Sequence, residues 1–152
     1  MMRFLLAVSV LTLSSGVLAQ EHHIYGSTED LKWQQGPPGL PKGAEFSVLA
    51  GDPGAGSGSF VIRARLPAGY KVPPHSHPTA EQLTVLSGDL GVGLGDRFDE
   101  AKGQELKPGG FADLPGKMNH YVWTKNGAVI QVQGQSPFEI TYANPAEDPR
   151  KQ

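Results

Sequence analysis

The stretch GYKVPPHSHPTAEQLTVLSG, residues 69–88, holds two histidines one residue apart, a glutamate four residues after the second, and a glycine at each end. Side chains alternate along a strand, so His75 and His77 point to one face. Glu81 opens the next β-prone run and comes onto that face after the short break Pro78-Thr79-Ala80. Two neutral imidazoles and a carboxylate form an N,N,O donor set suited to Fe(II), Mn(II), Ni(II), Cu(II) or Zn(II). Pro73 and Pro74 stiffen the approach and lower the entropy lost in holding the donors. A fourth donor has to come from elsewhere, and GGFADLPGKMNHYVWT (109–124) offers His120, the only other histidine far from the N-terminus.

Working outward, 20 glycines and 13 prolines in 152 residues punctuate the chain every few positions. Between them lie short runs rich in β-branched and aromatic residues, at 45–50, 60–66, 81–86, 90–94, 110–114, 120–124, 128–133 and 138–142. In the second run Phe60, Ile62, Ala64 and Leu66 alternate with Val61, Arg63 and Arg65, the period of a half-buried strand. So many short antiparallel strands predict an all-β double-sheet jelly roll or small barrel. Ser27-Thr28-Glu29-Asp30 is expected to cap a helical turn, and GPPGLPKG (36–43) reads as an extended segment. Residues 99–102 suit a short helical turn within a solvated loop, and the polar tail from Asn144 is expected to fray.

The N-terminus has the pattern of a secretory signal. Arg3 is followed by an apolar stretch from Phe4 to Leu13, too short to span a bilayer, and Val17-Leu18-Ala19 suits cleavage after Ala19. The expected organisation is a signal peptide at 1–19, an arm at 20–44, a β domain at 45–143 and a tail at 144–152, with a secreted or periplasmic destination and no membrane segment after cleavage. Losing Arg3 leaves 12 basic against 15 acidic residues and no basic cluster, which argues against nucleic acid and anionic membrane as partners. With no cysteine, a lipidated N-terminus, a disulfide scaffold and a thiolate metal site are excluded. Cleavage would also expose Gln20-Glu21-His22, whose free amine and third-position imidazole suit Cu(II) or Ni(II) unless the glutamine cyclises.

Other residues admit two readings. Trp33, Tyr70, Tyr121 and Trp123 could wall a ligand pocket, but aromatics in a small barrel more often serve the core or a dimer contact. Alternation places Val122 and Thr124 on the inward face with His120, and Tyr121 and Trp123 on the other. Arg63 could meet a substrate carboxylate, but solvation is the simpler reading.

Residues 69–88 resemble the first cupin motif, G(X)5HXH(X)3-4E(X)6G, at every fixed position: Gly69, His75, His77, Glu81 and Gly88. The second motif, G(X)5PXG(X)2H(X)3N, is matched at Gly109, Pro115 and His120. It departs at Lys117, where the family has glycine and Gly116 could supply the turn, and at Thr124, where the family has asparagine. The resemblance covers residues 45–143, and more loosely 31–43. The chain is similar to small exported bacterial cupins carrying "DLKW", "LPKG" and "LAGDP".

The resemblance implies a double-stranded β-helix barrel and one divalent transition metal held by His75, His77, Glu81 and His120. It also implies a homodimer formed through a sheet edge or the arm, and dioxygenase, decarboxylase, isomerase or epimerase chemistry on a small molecule. No acid or base beside the metal is identifiable from sequence, so a non-enzymatic cupin that binds or senses a metal and a small ligand is the alternative.

Overall fold

The computed structural model describes residues 23–152; the signal segment and Gln20-Glu21-His22 lie outside the described residues. Eleven strands fill the described part: β1 (Gln34–Gln35), β2 (Glu45–Ala50), β3 (Ser59–Leu66), β4 (Lys71–Ser76), β5 (Glu81–Gly88), β6 (Leu90–Leu94), β7 (Gln104–Leu106), β8 (Phe111–Leu114), β9 (His120–Trp123), β10 (Ala128–Gln135) and β11 (Thr141–Tyr142). They form two antiparallel sheets, one in the order β1-β2-β3-β10-β5-β8 and one in the order β11-β4-β9-β6-β7. Their inner faces meet in a jelly roll, as the strand pattern predicts.

The core follows the two-residue period. Phe60, Ile62, Ala64 and Leu66 of β3, Leu83 and Val85 of β5, and Ile130 and Val132 of β10 are all buried against Val72 and Val122 of the facing sheet. Burying such a side chain contributes about 1.5–3 kcal/mol.

One irregularity decides where the site forms. In β4 against β9, Lys71 lies opposite Trp123 and Val72 opposite Val122, but His75 lies opposite His120. Pro73 and Pro74 therefore share a place that Tyr121 alone occupies on the partner strand. This is a bulge where two prolines without N–H groups interrupt the ladder. His75 stands three residues after the buried Val72, and strict alternation would turn it outward. The bulge restores it to the barrel interior, where His75 and His77 are both buried.

Tyr121 and Trp123 face away from the interior that holds His75 and His77 yet are also buried, under a strap at residues 95–103. Phe98 packs on both rings, at centroid distances of 5.0 and 5.8 Å. Glycines clear the space: a Cβ on Gly93 would lie 2.2 Å from the Tyr121 ring, and one on Gly91 2.0 Å from Trp123. The strap includes the expected helical turn, Glu100–Lys102, capped by Asp99.

Several expectations for the flanks are revised. The arm lies on its own barrel: Leu31 is buried, Trp33 stacks on Arg65 at 4.2 Å, and Arg63 donates to Thr28 at 3.3 Å with its Nε buried. Arg63 is thus half-covered by the arm rather than solvated. Residues 27–30 run from a bend into a single hydrogen-bonded turn, in which the Leu31 N–H donates to Thr28 O and Asp30 accepts from the Ser27 N–H. Segment 36–43 contains turns, with the Leu40 N–H donating to Pro37 O. The tail is also anchored, because Arg150 pairs with the buried Asp148 and donates to Ile140 O.

Candidate metal centre

Four side chains converge between the sheets. His75 comes from β4, His77 from just beyond its end, His120 from β9 and Glu81 from the start of β5. Glu81 does not share the histidines' strand face; it belongs to the opposite sheet and meets them across the interior. All four are buried, and their donor atoms lie within 4.8 Å of one another. Donors about 2.0–2.2 Å from one ion would be up to about 4.4 Å apart, so a modest closure brings all four to a single centre.

Each imidazole is oriented by a backbone carbonyl. Nδ1 of His75 donates to Pro73 O at 2.7 Å, Nδ1 of His77 to Glu139 O at 2.7 Å, and Nδ1 of His120 to Met118 O at 3.1 Å. A carbonyl oxygen only accepts, so each Nδ1 carries the proton and each Nε2 offers a lone pair. Nε2 of His120 is buried without a hydrogen-bond partner, although Glu81 Oε2 lies 3.0 Å away and that oxygen is also 3.5 Å from Nε2 of His77. Lone pairs facing a carboxylate at this distance repel unless a proton or a cation lies between them.

The electrostatics disfavour a proton on His75 and His77. Burial, with His120 and His77 close by, pushes His75 down to about 3, and burial also lowers His77. Burial alone would raise Glu81, but the His120 contact and the neighbouring imidazoles outweigh it and hold the carboxyl below its usual range. His75 and His77 are thus held towards the neutral form and Glu81 towards the carboxylate, the protonation states a divalent ion requires.

The surroundings were less legible in the sequence. Phe138 stacks on His77, with centroids 4.0 Å apart and planes 16° off parallel, and packs on Phe60 at 4.8 Å. Residues 138–142 read as one strand, but only Thr141–Tyr142 pair; the preceding segment instead closes the barrel over His77. Of the four aromatics in question, only Tyr70 lines the central cavity. Its hydroxyl donates to Pro41 O at 2.6 Å, and burial raises its ionisation well above the ordinary range. Burial likewise pushes Tyr142 up to about 12, and its hydroxyl donates to Gly39 O. The remaining cavity wall is apolar, with Leu66, Val72, Leu83, Val122, Ile130 and Val132 among its residues.

The two departures from the second motif have separate explanations. Lys117, not Gly116, takes the left-handed conformation, with φ 66°. Its N–H donates to His77 O at 2.7 Å, so this strained turn buttresses a candidate ligand. Gly116 is needed for closeness instead, since a Cβ there would lie 2.8 Å from Pro78 O. Thr124 is buried away from the cavity, where its hydroxyl accepts from the Gly127 N–H and contacts Asp89. It holds a turn.

Comparison with known proteins agrees with this architecture. The family model of the ChrR cupin-like domain matches residues 21–133. Germin-like protein 3-1 of Oryza sativa subsp. japonica is 37% identical over 88 residues, covering 57% of this chain and 39% of that protein. The chain thus spans well under half the length of the curated relative it matches. Among solved structures, the polyketide cyclase RemF from Streptomyces resistomycificus superposes with TM-score 0.68 at 21% identity, over 87% of this chain and 92% of that one. The DMSP lyase DddQ from Ruegeria pomeroyi superposes with TM-score 0.59 at 19% identity, over 75% of this chain and 61% of that one. These structural likenesses speak to the fold.

Proposed function

The chain belongs to the ChrR cupin-like family, and from that premise we propose that it is an exported metal-dependent protein acting on a small molecule at His75, His77, Glu81 and His120. The observation that carries the reading is the buried, unpaired Nε2 of His120 facing the Glu81 carboxylate at 3.0 Å, with every Nδ1 proton already committed to a carbonyl. A bound divalent ion would supply Lewis acidity and, if iron, manganese or copper, redox chemistry. The three imidazoles and the carboxylate would hold the ion, the bulge at Pro73-Pro74 aims His75, and the wall around them is largely apolar. Among the described residues, no acid or base apart from the four candidate ligands is free beside the cavity: both nearby phenols donate to carbonyls and resist ionisation. This favours chemistry that needs only the metal, of which dioxygenase-type oxidation is one case.

The same apolar lining supports a second reading, a non-enzymatic cupin that holds a metal and a small ligand. Two measurements separate the possibilities. Metal analysis of the purified protein and of His120→Ala should give about one divalent ion per chain and near zero respectively; full retention by the variant refutes the site. Oxygen uptake by the iron-loaded protein with a panel of phenols, thiols and keto acids supports the enzyme. Tight ligand binding without turnover for any metal supports the binder.

A further inference from the structure

Two spaces share one wall above the metal-ligand cluster. The inner cavity over His75, His77 and His120 has about 70 Å³ open to the centre of a water-sized molecule. Beyond it lies a groove of about 370 Å³ on the same measure. Leu40, Phe46, Ile62, His77 and Phe138 border both spaces, so the stacked pair His77–Phe138 divides them. Val48, Pro37, Pro53, Gly54, Ile140 and the exposed Gln35 complete the groove, and Val48 is half-exposed.

The charge on these walls restricts the occupant. Glu81 is the sole carboxylate or cation among the described residues lining either space. A divalent ion beside one carboxylate leaves a single positive charge, which one anionic oxygen or sulfur head group balances. A phosphate ester or dicarboxylate would bury surplus negative charge with no arginine or lysine to meet it. A sugar would bury most of its hydroxyls against apolar side chains, since besides His77 only the exposed Gln35 offers the groove a polar side chain.

Resting on the metal-centre reading above, we infer that the ligand is a molecule with one metal-binding head, such as a phenol, and an apolar body that reaches past Phe138 into the outer groove. The head sits in the inner cavity. The body lies between Leu40 and Phe46 on one side and Phe138 and Ile140 on the other, reaching Val48 at the rim.

The test uses the cobalt(II)-loaded full chain and a series from phenol to 4-butylphenol, with dissociation constants read from the cobalt absorption bands. Affinity is expected to rise about fourfold per added methylene as the chain enters the groove. Val48→Asp, which sets a charge at the rim, is expected to remove that increment. Leu94→Asp, a substitution of an exposed residue outside both spaces, is expected to keep it. Equal affinities along the series, with phenol still perturbing the cobalt bands, overturn the groove assignment while leaving the metal centre standing. An increment that survives Val48→Asp also overturns it. A flat series together with conversion of a dimer to a monomer by Val48→Asp gives the groove to a second copy of the chain instead. Failure of the protein to take up cobalt overturns the inference together with the metal reading beneath it.

Discussion

The metal-free protein should be acid-labile in a window that His75 sets. Its imidazole is held at about 3 in the fold, against 6.5 when solvated. A depressed pKa means that the folded state keeps the ring neutral while the unfolded chain accepts a proton. The stabilisation is therefore complete above about pH 6.5 and is lost progressively as pH falls towards the folded value. At pH 5 nearly all unfolded chains carry the proton and almost no folded ones do. The cost is then about 1.5 pH units at 1.36 kcal/mol each, or about 2 kcal/mol from this residue alone. The figure depends little on the folded value so long as that value stays below about 4. Urea unfolding of chelator-treated protein at pH 8 and pH 5, for the wild type and His75→Gln, isolates the effect. Carboxylates common to both proteins cancel in the double difference, which should be about 2 kcal/mol. An equal pH dependence in the two proteins would refute the reasoning, as would a His75 ring resonance that titrates near 6.5 in the folded state.

Other outcomes follow from the same geometry. Lys117→Gly should raise stability by about 0.5–1 kcal/mol, because relief of the left-handed strain exceeds the added unfolded-state entropy; a lowered urea midpoint would contradict this. Gly93→Ala should cost about 2 kcal/mol in the same assay, since its Cβ would overlap the Tyr121 ring at 2.2 Å; a neutral result would mean that the strap at 95–103 yields easily. Glu81→Ala should weaken metal affinity less than His120→Ala, since three imidazoles remain, and competition with a chromophoric chelator ranks the two.

The strand pattern was legible where burial on one face imposed a two-residue period, as in Phe60, Ile62, Ala64 and Leu66. It failed where no such period exists. Strands β1, β7 and β11 are two or three residues long and lie towards sheet edges, so few of their side chains meet the core. The Pro-Pro pair in β4 reads as a stiff approach to the histidines, and the structure adds that it makes the bulge that turns His75 inward. Gly116 was a reasonable source for the turn before His120, but close approach to Pro78 fixes its identity, and Lys117 bears the unusual φ.

The sequence by itself determined the donor set. Imidazole and carboxylate chemistry belongs to the residues, and His75, His77, Glu81 and His120 were identifiable from spacing and motif before any contact was known. Only the tertiary structure decided how those donors are presented. Glu81 meets the histidines from the opposite sheet, Glu139 O orients His77 from 62 residues away, and Phe138 closes the cavity over it. Nothing in a local stretch encodes such relations, because they arise when two sheets pack and distant backbone carbonyls come to face buried rings. The pocket around them, largely apolar with Glu81 as its one carboxylate among the described residues, is likewise a property of the packed barrel, its apolar wall assembled from residues that in sequence look only like core.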